Sequence, residues 1–290
     1  MGNFAATLAT LLVNGVAYGM MLFLISVGLT ITLGVMRVIN LAHCAFAMIG
    51  GYFALVFATR FGLHFFIVVP LAVVATMVVG YVLERTLYRW VYAASELGQV
   101  LMTIGLTFIL ISVVNLMFGG TLQRVPIPEM LVGNIQIGQL HITIYRVFLL
   151  VASATVALAL WLGLERTDFG ARLRAAVDNK KMAACVGIDV ARLFSFTFAI
   201  GCGLAALGGV LGAEIVPLEP YYGLKYLILV LIVVSVGGLG SLGGSLLSAL
   251  LLGVIDTLGR YYLHELGGFV LYIFVLLLLL VRPQGLLGRA

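Results

Sequence analysis

The chain has 290 residues, 63% of them hydrophobic and only 9% charged, with a formal net charge of +5 and a mean hydropathy of +1.22. A water-soluble domain of this length needs several times more charge to cover its surface, so a soluble enzyme is excluded. The basic excess reads as a membrane-orientation signal rather than a nucleic-acid footprint.

Apolar stretches of the roughly 20 residues needed to cross a bilayer recur along the whole length, and no polar stretch is long enough for a second domain. The expectation is an all-α, polytopic membrane bundle of about eight to nine spans, forming one transmembrane domain over residues 1–290. The first apolar run, Phe4 to Met36, lacks a basic leader and is too long for a signal-peptide core, so it reads as a retained span. Candidate spans fall at 7–34, 41–58, 65–83, 99–118, 144–163, 193–213, 225–237, 244–262 and 268–281. The seventh and last are short, and read as tilted, broken or re-entrant.

Polar groups inside spans cost free energy and tend to face the bundle interior or a cavity. In the first span these are Asn14, Ser26, Thr30 and Thr32, with Ser26 and Thr30 four apart on one face. Asn40 and His43 follow at the start of the second, and Thr103 and Thr107 lie in the fourth. These eight are the candidates for a solute pathway. The structural alternative is that Ser and Thr bond back to the preceding turn, Asn14 joins two helices, and Asn40 and His43 organise a span end near Arg37. Small-residue spacing is a separate signal: Gly15 and Gly19 in the first span, and Gly201, Ala205, Gly209 and Ala213 in the sixth, allow close backbone approach. Between the fourth and fifth spans, Thr121 to Thr143 reads as an irregular loop marked by Pro126, Pro128, Gly133 and Gly138, either a docking surface or a connector.

With the N-terminus outside, the inside set of basic residues is Arg37, Arg85, Arg89, Arg166, Arg172, Arg174, Lys180, Lys181, Arg192, Arg282 and Arg289. The outside set is smaller: Arg60, Arg124, Arg146, Lys225 and Arg260. This asymmetry places the loop 164–192 and the C-terminus inside.

That loop is unusual. Ala171 through Ala184 contains neither Pro nor Gly and is rich in Ala, Arg and Lys; Thr167 or Asp168 is placed to cap its start, and Gly187 to end it. One continuous short helix is predicted, with Leu173, Val177 and either Ala184 or Met182 on an apolar side and Arg172, Asn179 and Lys180 pointing elsewhere. A solvated loop has no need of such a small-residue helix; a surface that enters another protein's groove does.

The stretch TDFGARLRAAVDNKKMAACVGI resembles the cytoplasmic coupling segment of permease subunits of ABC importers for branched-chain amino acids. GLTITLGVMRVINLAHCAFAMIGGY and VSVGGLGSLGGSLLSALLLG fit the same family in the same order, across nearly the whole chain. The chain departs from the family pattern at Cys44, where glycine usually follows NLAH. The resemblance implies a multi-pass permease of the bacterial inner membrane that pairs with a second, homologous permease and two cytoplasmic ATPase subunits, and receives solute from a periplasmic substrate-binding protein. It makes the charged island a coupling helix, with Arg172, Arg174, Ala175, Asp178, Asn179, Ala183, Gly187 and Ile188 as its ATPase-coupling residues. Branched-chain amino acids are the implied solute, with urea, short amides or small carboxylates as alternatives within the family and a passive channel as the alternative mechanism.

No Lys follows a Gly, since the lysines are Lys180, Lys181 and Lys225. A phosphate-binding loop is therefore excluded, and ATP and Mg are expected on the partner subunits rather than as cofactors of this chain. Gly238, Gly240 and Gly243 match the spacing of a dinucleotide loop, with Asp256 beyond them, but they follow a membrane span rather than a strand. Gly237, Gly238, Gly240, Ser241 and Gly243 instead read as a helix break. Cys44, Cys185 and Cys202 and the histidines at 43, 64, 141 and 264 show no metal-ligand spacing. Glu84, Glu214 and Asp256 are too far apart in sequence to be taken as a catalytic pair, so no catalytic residues are assigned and an intramembrane enzyme is the minor reading.

Overall fold

The computed structural model describes residues 2–36, 38–92, 94–137, 140–263 and 265–287. Arg37, Gly138, His264 and Arg289, named above, lie outside these. The helices run in the order α1 (Gly2–Met36), α2 (His43–Thr59), α3 (Phe65–Leu83), α4 (Arg89–Val91), α5 (Glu96–Phe118), α6 (Ile144–Arg166), α7 (Asp168–Asp178), α8 (Lys180–Cys185), α9 (Val190–Gly212), α10 (Tyr222–Gly237), α11 (Leu242–Tyr262) and α12 (Gly267–Val281).

Among the described residues, six helical stretches are long and apolar enough to cross a membrane: 6–34, 65–91, 96–118, 144–166, 190–212 and 242–262. Helices α2, α10 and α12 are apolar but shorter, at 17, 16 and 15 residues. At 1.5 Å per residue, 15 residues reach only about 22 Å of a hydrocarbon layer about 30 Å thick.

The core lies along α1 and α9, which are buried over 83% of their most apolar stretches; the corresponding share for α6 is 11%. Helix α1 packs on α11, α9, α6 and α10, while α9 also packs on α2 and α3. Small residues permit these approaches. A Cβ on Gly201 would sit 3.1 Å from the Thr32 side chain and 3.2 Å from the Gly28 carbonyl oxygen, and one on Gly209 would collide with the Ala47 backbone. Across the other face of α1, Cβ atoms on Gly15 and Gly19 would lie 2.7 Å and 2.9 Å from the Cα atoms of Val254 and Leu250. Lacking a hydrophobic drive between helices in lipid, such close van der Waals contact is what holds them together. Peripheral helices turn large apolar residues outward instead, as Leu101, Ile109 and Leu116 of α5 and Leu276 and Leu280 of α12 do.

The third span extends beyond the predicted 65–83. Helix α3 passes into a five-residue π turn, Glu84–Tyr88, where the Arg89 N–H reaches back to the Glu84 carbonyl, and helix resumes as α4. Arg85 and Arg89 therefore sit on helical turns rather than in a loop, their guanidinium groups over the rings of Tyr81 and Trp90. The predicted irregular loop 121–143 also gains structure. It contains a short 3-10 turn, Glu129–Leu131, and an antiparallel pair of strands, β1 (Asn134–Ile137) and β2 (Leu140–Thr143), with Ile135 opposite Ile142. Alternating Ile and polar residues suit a two-stranded ribbon. Gln123 is tied through its backbone to Leu218 by two 2.8 Å hydrogen bonds, so the turn between α9 and α10 is stitched to this loop.

Candidate functional site

The segment between α6 and α9 is built from consecutive caps. Thr167 accepts from the Gly170 N–H at 3.3 Å to start α7, and a Cβ on Gly170 would run into the Leu164 backbone, so glycine lets α7 fold back against the end of α6. The Arg174 guanidinium donates to the Leu164 carbonyl, closing the same corner. The single helix expected over 171–184 is instead two. Asn179 has φ −151°, and its side-chain oxygen accepts from the N–H groups of Lys181 and Met182, both at 3.1 Å. Asparagine competes for backbone donors in this way, which ends α7 and starts α8.

The break shifts the helical phase. Leu173 and Ala176 are buried and Val177 is half-buried, as the apolar face requires, but neither Ala184 nor Met182 continues that face; Ala183 does, while Met182 stands 62% exposed. At the end of α8, Gly187 at φ +87° donates to the Ala184 carbonyl at 3.0 Å and Ile188 to that of Ala183 at 3.0 Å, a paired closure that favours glycine at the left-handed position. Asp189 then caps α9 by accepting from the Arg192 N–H at 3.0 Å.

The outward face of the two short helices carries Arg172, Ala175, Asp178, Asn179, Lys180 and Lys181, with Val186 73% exposed just beyond them. Arg172, Gly187 and Ile188 also border an open depression of about 700 Å³ whose floor is formed by Phe169, Leu193 and Phe196.

The pathway candidates are drawn together less than expected. Ser26 donates to the Phe23 carbonyl at 3.1 Å, Thr32 to those of Gly28 and Leu29 at 3.1 Å, and Thr107 to that of Thr103 at 2.9 Å. These hydroxyls bond to their own helices. Thr30 bonds to the Ser26 carbonyl at 3.1 Å and also meets Ser245 of α11 at 2.6 Å. Asn14 receives a hydrogen bond from Arg146 and so joins α1 to α6, at a distance in sequence from the other candidates.

A tighter group forms where α1 turns into α2. Asn40 lies in the turn before α2 rather than in the helix, and accepts at Oδ1 from the Ala42 N–H at 3.1 Å and from the Tyr88 hydroxyl at 2.7 Å. Nε2 of His43 is 3.0 Å from the Ile25 carbonyl. Thr103 accepts from the Leu41 N–H at 3.3 Å, and Gln99 from that of Ile39 at 3.3 Å. Asn40 Nδ2 and His43 Nδ1 are buried without a hydrogen-bond partner among the described residues. Cys44, next to them, is fully buried.

Glu84 and Asp256, named in the sequence but given no partners there, each make side-chain bonds. Glu84, 4% exposed, accepts from the Tyr92 hydroxyl at 3.1 Å and from the Ser195 hydroxyl at 2.5 Å. Its only advance signal is being the sole acidic residue in a long apolar run. Near the opposite end of the bundle, Asp256 of α11 is paired with Arg260 at 2.8 Å.

The glycine-rich break does separate two helices. Gly238 and Gly240 have φ of +94° and +79°, and Ser241 caps α11 by accepting from the Gly244 N–H at 3.1 Å. Gly237 packs against Gly244, where a Cβ would lie 2.6 Å from the carbonyl carbon, whereas Gly243 is open apart from the Leu287 side chain. Residues from beyond α12 return here: the N–H groups of Leu286 and Leu287 donate to the carbonyls of Val236 and Gly237 at 2.7 Å and 3.3 Å. Carbonyls left open at the end of α10 are thereby satisfied.

Long apolar helices with outward-facing Leu, Ile and Phe, joined by small-residue contacts and carrying one projecting basic helix pair, define a multi-pass membrane protein. The family model for the permease component of the branched-chain amino acid transport system matches residues 11–280, and the chain belongs to that family. It is 31% identical to the high-affinity branched-chain amino acid transport system permease protein BraD of Pseudomonas aeruginosa, over 96% of this chain and 95% of the relative. It is likewise 31% identical to LivH of Escherichia coli K12 and 29% identical to LivH of Salmonella typhimurium LT2, each over 95% of this chain and 94% of the relative. No solved structure matches. These relatives are transport permeases, not enzymes.

Proposed function

We propose that this chain is the permease subunit of an ATP-driven importer that moves branched-chain amino acids, or a related small polar solute, inward across the bacterial inner membrane by alternating access. In this reading all nine apolar helices among the described residues, including α2, α10 and α12, reside in the membrane, and residues 164–192 form the cytoplasmic coupling loop. Its partners are a second homologous permease, two ATPase subunits that bind ATP and Mg, and a periplasmic binding protein.

The observation that carries the reading is the exposed face of α7 and α8. Arg172 and Lys181 are exposed beside exposed Met182 and Val186, and Lys180 lays its ammonium over the Phe194 ring at 5.1 Å, while Leu173, Ala176 and Ala183 bury the other side of the pair. A mixed basic and apolar surface on a buried footing suits a groove in a separate motor subunit.

The test is solute uptake by the reconstituted complex with a partner ATPase that binds but does not hydrolyse ATP. Uptake is expected to stop; undiminished flux would establish a channel instead.

A further inference from the structure

The π turn Glu84–Tyr88 hydrogen-bonds in two directions, toward the start of α9 just after the coupling segment and toward the turn that carries the pathway candidates Asn40 and His43. At one end Glu84 accepts from Ser195, in the second turn of α9, whose first turn is continuous with the chain leaving α8 through the Asp189 cap. At the other end, four residues on, Tyr88 donates to Asn40 at 2.7 Å, in the turn that leads to His43. The Tyr92 hydroxyl holds the second oxygen of Glu84. Glu84 and Tyr88 are 4% and 0% exposed, and no cation is bonded to the acid among the described residues.

Resting on the importer reading, we propose that this π turn is the mechanical relay between the coupling segment and the Asn40–His43 turn, with Glu84, Ser195 and Tyr88 as its positioning residues. A single π turn carries one residue more than regular helix needs, so it can change between i+5 and i+4 bonding by a one-residue shift. Such a shift turns the following side chains by about 100°, one residue's share of a 3.6-residue turn. Movement of α9 at Ser195 is thereby converted into rotation of Tyr88 beneath Asn40. Because Asn40 Nδ2 and His43 Nδ1 have no hydrogen-bond partner among the described residues, the turn has polar atoms available to a second arrangement. The required element is one with two discrete packings biased from both sides, and the π turn meets that description.

The experiment uses the whole complex, co-purified with its partners and reconstituted, and reads solute molecules imported per ATP hydrolysed. Wild type is measured first: uptake independent of hydrolysis would overturn the importer reading, and the relay with it. With wild type coupled, Ser195→Ala and Tyr88→Phe are expected to leave complex yield and basal hydrolysis within about twofold. The coupling ratio is expected to fall about fivefold or more, the factor corresponding to one lost hydrogen bond. Ser195→Thr, which keeps the hydroxyl, should restore it. An unchanged ratio in both variants would overturn the relay alone, as would a fall in uptake that merely tracks lost complex yield.

Discussion

The hydroxyl oxygens of Thr30 and Ser245 lie 2.6 Å apart where α1 meets α11, both fully buried. Thr30 also reaches the Ser26 carbonyl of its own helix at 3.1 Å, so its hydrogen retains an acceptor when Ser245 is removed. Ser245→Ala is therefore expected to cost only about 0.6 kcal/mol, the average for side-chain hydrogen bonds between membrane helices. A double-mutant cycle with Thr30→Val, followed by unfolding in mixed micelles, measures the coupling; a value above about 2 kcal/mol would exceed what such a bond supplies.

Glycines on the helices divide sharply by surroundings. Gly209→Ala on α9 drives a methyl group into the Ala47 backbone and should destabilise by about 1–3 kcal/mol through overpacking. Leu at Gly209 or Ala205 should abolish assembly. Gly105→Ala on α5 meets nothing within 4 Å and should stabilise by about 0.5–1 kcal/mol through helix propensity alone. Thermal melts of the two variants in the same detergent check the opposite signs.

Charge reversal on the exposed face of α7, the proposed coupling surface, separates recognition from folding. Arg172 is exposed, whereas Arg174 also closes the corner at Leu164. Arg172→Glu is expected to reduce ATPase co-purification about tenfold, the effect of a moderate interfacial charge clash, with insertion unchanged. Arg174→Glu should show the same loss together with reduced thermal stability. Equal ATPase recovery from wild type and Arg172→Glu would remove this surface from the interface.

Cys185 is a native reporter of sidedness. It is exposed, while Cys44 and Cys202 are buried. A membrane-impermeant maleimide should label the folded protein at Cys185 alone, from the cytoplasmic face, so labelling is expected in inverted vesicles and not in intact cells. Labelling of intact cells would place α7 and α8 on the opposite side.

Asn179→Ala tests the break itself. Loss of both cap bonds is expected to cost about 1 kcal/mol and to favour one continuous helix over 168–185. Altered spin-label distances across residue 179, with normal membrane insertion, are the expected readout; identical distances would mean that packing on Leu173 and Ala183 sets the break.

The apolar helices were legible in sequence because apolar length is a strong signal: each predicted span overlaps an observed helix, and among the described residues six of those helical stretches are long enough to cross a membrane. Their ends were less so: α9 begins at Val190 and α10 at Tyr222, three residues before expectation, where Asp189 and the turn at Tyr221 supply the start. Gly187, Gly238 and Gly240 were readable because their positive φ favours glycine, whereas Gly237 and Gly243 of the same break lie outside that region. Asn179 was missed because one amide capping a new helix looks, in sequence, like a polar residue on a solvated face. The π turn was hidden more thoroughly, since one extra residue in an apolar helix leaves composition unchanged and only Glu84, Tyr88 and Tyr92 mark it. Hydroxyl residues were correctly flagged as polar, yet sequence spacing could not distinguish Thr32, bonded within α1, from Thr30, which also reaches across to α11.

The backbone bonds from Leu286 and Leu287 to Val236 and Gly237 impose an order on biogenesis. Helix α10 leaves the ribosome with its final carbonyls open and waits through the synthesis of two further helices before the chain that closes them arrives. Gly285 enters that seat with φ +81°, where a methyl group would press on Ser235, Val236 and Gly238. A nascent chain arrested after α12 therefore holds every described helix and still lacks the backbone bonds from residues 286 and 287 that close the end of α10.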